Sequence, residues 1–111
     1  MSESDKKLSV ITKAIDDKKG FDVKVLDVSH LTPIAEYFVI ASGNSSTQVM
    51  AIADEIESQM FLAGYDKMSN MEGYHSGRWI LIDYNDIIVH VFHKDERDFY
   101  NLERLWTRID N

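Results

Sequence analysis

The chain has 111 residues, 44% hydrophobic and 28% charged, with one proline and no cysteine. That is the length of one domain and an ordinary globular composition, which excludes two independent cores, a disordered or collagenous chain and a disulfide framework. Nineteen acidic residues against 12 basic ones leave a net charge of −7, so the mean field repels nucleic acid and anionic membranes and disfavours an extended grip on RNA.

Leu8, Ile11, Ala14 and Ile15 recur at helical spacing and predict a helix over residues 5–18, with Ser4 as N-cap and Gly20 just past its end. Residues 22–28 alternate and are rich in valine, which predicts a strand. Pro33 then breaks the pattern, because it disfavours helical backbone at Thr32. Tyr37-Phe38-Val39-Ile40-Ala41 is a continuous apolar run too short for a helix, so it predicts a central strand buried on both faces.

Val49, Ile52, Ala53, Ile56, Met60 and Ala63 trace a helical stripe over residues 47–63, capped by Ser46 before and Gly64 after. A short strand is expected over residues 66–71. Two further strands, 79–83 and 87–92, flank Tyr84-Asn85-Asp86, which reads as a tight hairpin turn. Residues 94–108 predict a last helix whose apolar members include Phe99, Leu102, Leu105 and Trp106, with the mixed charges of 94–98 on a solvated face.

The expected fold is α/β: one domain over residues 1–111, a mixed sheet of about five strands with three helices, and a crossover helix after the second strand. Residues 79–83 are apolar on both faces, Trp79 and Leu81 on one and Ile80 and Ile82 on the other. Three helices do not cover both faces of such a sheet, so apolar surface is expected to await a partner. Residues 47–75 carry a net −4, which suits a basic one.

Candidate chemistry is sparse. Gly43-Asn44-Ser45-Ser46 precedes a helix N-terminus and could hold a phosphate, but one glycine with no following lysine falls short of a phosphate-binding loop, and a turn with an N-cap is the simpler reading. A nucleotidyl transferase also needs paired carboxylates on a strand, and no Asp-x-Asp occurs. His90 and His93, three apart on a strand, point to opposite faces and make a poor metal pair. A Ser45, His90, Asp83 triad lacks the Gly-x-Ser-x-Gly turn, so His90 is expected to be partly buried and bonded to a neighbour such as Asp83. Trp79 stands out as either core or an interface anchor.

Glu72-Gly73, then the run from Trp79 to Phe92 with Asp83-Tyr84-Asn85-Asp86 and Val89-His90-Val91-Phe92, then Arg97, Tyr100 and Leu102-Glu103-Arg104-Leu105-Trp106 together resemble the ribosomal silencing factor (Iojap) family. Leu26-Asp27-Val28, the run from Ala35 to Ser46 and Ile52-Ala53-Asp54 match it as well, so the likeness covers residues 5 to 107. It implies a nucleotidyl-transferase-like fold without the catalytic carboxylates, no enzymatic activity and no cofactor. It also implies binding to the large ribosomal subunit, mainly its fourteenth protein, which blocks joining of the small subunit and lowers translation when nutrients are scarce.

Carried over by position, Trp79, Leu81 and Ile82 match the family's docking patch, with Asp83 and Tyr84 beside them. Ile82 ranks below Leu81 because it alternates away from Trp79. Peripheral contact with ribosomal RNA, a homodimer when free and a cytoplasmic location are further expectations. The acidic start and the lack of any long apolar run agree with a chain that has no leader and meets no membrane. Asn85 replaces the family's usual turn glycine and should serve, since asparagine tolerates positive φ.

Overall fold

The computed structural model describes residues 3–65 and 70–96. In chain order they form α1 (Glu3–Asp17), β1 (Phe21–Asp27), β2 (Tyr37–Gly43), α2 (Ser46–Leu62), β3 (Asn70–Glu72), β4 (Trp79–Asp83) and β5 (Ile87–His93). The strands make one sheet in the order β1-β2-β5-β4-β3, with β2 and β5 parallel and every other pair antiparallel. The mixed five-stranded α/β sheet is therefore as expected.

The apolar run of β2 is explained by its place between β1 and β5: residues Val39 to Gly43 are buried on both faces, as interior strands require. The middle position belongs to β5. The third expected helix lies almost wholly outside the described residues, with only Lys94 to Glu96 helical before they end.

Both α1 and α2 pack on one face of the sheet. Ile11, Ile15, Ile52, Ile56 and Met60 meet Val39, Ala41, Ile80, Ile82, Val89 and Val91, all fully buried. The helical stripe of period 3.6 thus faces the alternate residues of strands of period 2.

Two caps differ from expectation. The N-cap of α2 is Ser45 rather than Ser46: Ser45 has extended backbone, and its Oγ accepts from the Gln48 amide at 3.1 Å. Ser4 sits inside α1 and does not cap it. Its buried hydroxyl lies 3.0 Å from Asp86 Oδ2 and 3.2 Å from Glu36 Oε2, and its one proton serves one carboxylate at a time. Lys7 Nζ reaches Asp86 Oδ1 at 3.0 Å, so the start of α1 is fastened to the hairpin turn. Within that turn Asn85 adopts φ 76°, and its amide donates to Asp83 Oδ1 at 2.7 Å, so asparagine does serve where a left-handed residue is needed.

Candidate functional site

The hairpin register decides which side chains meet. With Asp83 opposite Ile88, Leu81 pairs with His90 and Trp79 with Phe92, while Ile80 and Ile82 pair with Val91 and Val89 on the helix-covered side. The parallel neighbour adds Phe38 opposite Ile88 and Ile40 opposite His90. One face of the sheet therefore carries Trp79, Leu81, Asp83, Phe38, Ile40, His90 and Phe92. Trp79, Leu81, Asp83 and Phe38 are half-buried there, and Ile40, His90 and Phe92 are buried.

The aromatic rings form a connected cluster. Trp79 stacks on Phe92 with centroids 5.0 Å apart and planes 24° apart, and Phe38 meets His90 edge-on at 5.0 Å. The indole Nε1–H donates to His90 Nδ1 at 3.2 Å. Since Nδ1 accepts, the neutral ring carries its proton on Nε2, and that buried atom has no hydrogen-bond partner among the described residues. Burial pushes the His90 pKa down to about 4. The expected bond between His90 and Asp83 is thus corrected: they lie on one face, but His90 is bonded to Trp79 and Asp83 to the turn amide of Asn85.

The other expected docking residues sit differently. Ile82 is fully buried beneath the helices, on the opposite side from Trp79, as its alternation requires. Tyr84 belongs to the same helix-side core, 3% exposed, and its hydroxyl has no partner among the described residues; burial, with the Glu57 charge adding to it, raises its pKa to about 12. Neither offers a surface. Both pack in the core beneath the strand and turn that carry Trp79, Leu81 and Asp83.

The alternative chemistries do not assemble. The Gly43 loop is closed by the chain itself, because Gln48 Oε1 accepts from the Asn44 amide at 2.6 Å while Gln48 Nε2 donates to the carbonyls of Lys18 and Lys19. Ser45 is committed to its cap and His90 to Trp79, so Ser45, His90 and Asp83 make no proton relay. His93 Nδ1 accepts from the Asp95 amide at 3.1 Å, and no group of three metal-binding side chains occurs among the described residues. No helix among them is long and apolar enough to cross a membrane.

The segment from Gly73 to Arg78, which carried no expected role, locks β4 in place. Gly73 and Gly77 both have positive φ, and a Cβ at Gly77 would lie 2.7 Å from Ser46 Cβ. Tyr74 donates to Asp54 Oδ2 at 3.0 Å on α2, and Arg78 Nε donates to Glu96 Oε1 at 3.0 Å. The residue before Trp79 is therefore held at its side chain, and the loop is pinned to the helix layer. The pairing of Trp79 with His90 escaped the sequence reading, although the hairpin turn together with alternation implies the register that creates it.

The class these features define is a small α/β domain of one sheet, with one helix-covered face and one aromatic face organised by a hairpin. The family model described as "Ribosomal silencing factor during starvation" matches residues 1–111. A curated relative, "Ribosomal silencing factor RsfS" of Bacillus subtilis, is 48% identical over 99 residues, covering 89% of this chain and 83% of that one. "Protein Iojap, chloroplastic" of Arabidopsis thaliana is 33% identical over 93 residues, covering 84% of this chain and 38% of the plant protein. A crystal structure of a Chromobacterium violaceum protein superposes with TM-score 0.92 at 35% identity, covering 96% of this chain and 88% of that one. Another, from Bacillus halodurans, gives 0.83 at 43% identity, covering 92% and 94%. The chain belongs to this family of ribosome-associated silencing factors, a regulatory class.

Proposed function

We propose that the protein represses translation by binding the large ribosomal subunit through its fourteenth protein and blocking access of the small subunit when nutrients are scarce. The observation that carries this reading is the placement of Trp79 and Leu81, half-buried on one sheet face and two positions apart on β4. Large side chains so placed, with part of their surface in water, are the usual anchors of protein interfaces. Asp83 continues the same row, and Glu72 pairs in register with Leu81, so acid flanks the apolar anchors. That arrangement suits a basic protein, and it makes any contact with ribosomal RNA peripheral.

On this reading Trp79 and Leu81 make the contact, Asp83 steers it, and Ile82 and Tyr84 support it from the core. The mechanism is occlusion and uses no cofactor or bond-breaking step. The same face would pair with itself in a homodimer of the free protein, in the cytoplasm, with residues 1–111 acting as one unit. The test is gradient sedimentation of purified subunits at a magnesium concentration that permits joining. Wild-type protein should travel with the large subunit and reduce the joined particle, and Trp79→Ala should do neither. Undiminished joining with the wild type would overturn the reading.

A further inference from the structure

His90 is an odd choice for a fully packed position on β5. Its neighbours in the row, Ile88 and Phe92, are apolar, and an aliphatic residue would fill the space without the cost of drying an imidazole. The ring is 4% exposed, its Nε2–H has no partner among the described residues, and its polar contact there is the bond that Nδ1 accepts from Trp79. A half-buried indole N–H could otherwise be met by water, so this bond adds little to stability while a second polar atom stays orphaned. What it does supply is direction. An indole has two side-chain torsions: stacking on Phe92 fixes the ring plane, and the bond to Nδ1 fixes which edge turns inward.

We infer that His90 is a positioning residue for docking, which holds the Trp79 indole in the orientation the partner receives through the Nε1–H to Nδ1 hydrogen bond. The inference rests on the docking reading above and deepens it. An anchor already held in its bound rotamer loses less freedom on association, so His90 contributes to affinity without touching the partner.

The experiment measures binding to purified large ribosomal subunits together with the Trp79 indole N–H resonance, observed in a Trp106→Phe background. His90→Phe keeps an aromatic ring, larger than the imidazole, and removes the acceptor, and the Trp79→Phe background accounts for the added bulk. It should weaken binding about tenfold and shift the Trp79 resonance towards that of a water-exposed indole. His90→Asn puts an amide oxygen near the Nδ1 position and should recover part of both. Adding His90→Phe to Trp79→Phe, which has no donor left, should change binding no further.

Wild-type binding by a folded His90→Phe variant, while Trp79→Ala is impaired, would overturn the positioning role alone. So would an equal further loss on the Trp79→Phe background, the mark of a general packing defect. Undiminished binding by Trp79→Ala would overturn the docking reading and this inference with it.

Discussion

The burial of His90 makes stability depend on pH in a way that can be isolated. Its pKa in the folded protein is pushed down to about 4 from an ordinary value of 6.5. Between those values the unfolded chain binds a proton that the folded chain refuses, so stability rises with pH through this window. The contribution is fully present above pH 7, falls as pH drops through 6.5, and stops changing below 4, where both states are protonated. Linkage gives a loss of about 1 kcal/mol by pH 5.5 and about 2 to 3 kcal/mol by pH 4.5.

Carboxylates titrate in the same range, so the useful quantity is the difference between wild type and His90→Phe, in which their contributions cancel. Urea unfolding of both proteins at pH 7.5, 6.5, 5.5 and 4.5 supplies it. The wild type should lose that amount relative to the variant on acidification. Stability curves that stay parallel down to pH 4.5 would refute the reasoning, because His90 would then titrate alike in the folded and unfolded chains.

Three other substitutions test buried positions behind the aromatic face. Ile82→Ala removes a fully buried side chain under the helices and should cost about 2 to 4 kcal/mol in thermal or urea unfolding, with subunit binding intact wherever the variant is folded. Tyr84→Phe deletes a buried hydroxyl with no partner among the described residues, so stability should hold or rise by about 1 kcal/mol; a loss of about 1 kcal/mol or more would mean the hydroxyl is bonded. Gly77→Ala puts a Cβ at φ 62° and 2.9 Å from the Ser46 carbonyl oxygen, and it should cost about 2 to 4 kcal/mol, read as a lowered melting temperature.

Much of the architecture was legible along the chain. Alternation places Trp79 and Leu81 on the opposite face from Ile80 and Ile82 independently of the fold, because side-chain direction in a strand has period two whatever the strand pairs with. The apolar stripe of α2 and the interior character of β2 were equally local, since each is a pattern over consecutive residues. The family resemblance carried by the residues around Asp83 and His90 led to the same aromatic hairpin.

Caps were less legible. Ser45 and Ser46 are chemically alike, and which of them ends the loop depends on how Gly43 leaves β2. Ser4 looked like a cap because nothing in the sequence shows that Asp86, 82 residues on, comes within reach of its hydroxyl.

His90 marks the same divide most clearly. From the sequence it is a strand residue of the right alternation, and Asp83 is as plausible a partner as Trp79. The hairpin register sets Leu81 opposite His90, and only the folded packing brings the indole of Trp79 over from the next pair, after which geometry selects Nδ1 as acceptor and leaves Nε2 buried with no partner among the described residues. Sequence determined which residues are apolar, which face each takes and which family the pattern belongs to, since those follow from local periodicity and residue identity. The tertiary structure decided which polar atoms find partners, because a hydrogen bond needs two groups within about 3 Å, and distances between remote residues are set by the packing of the whole chain.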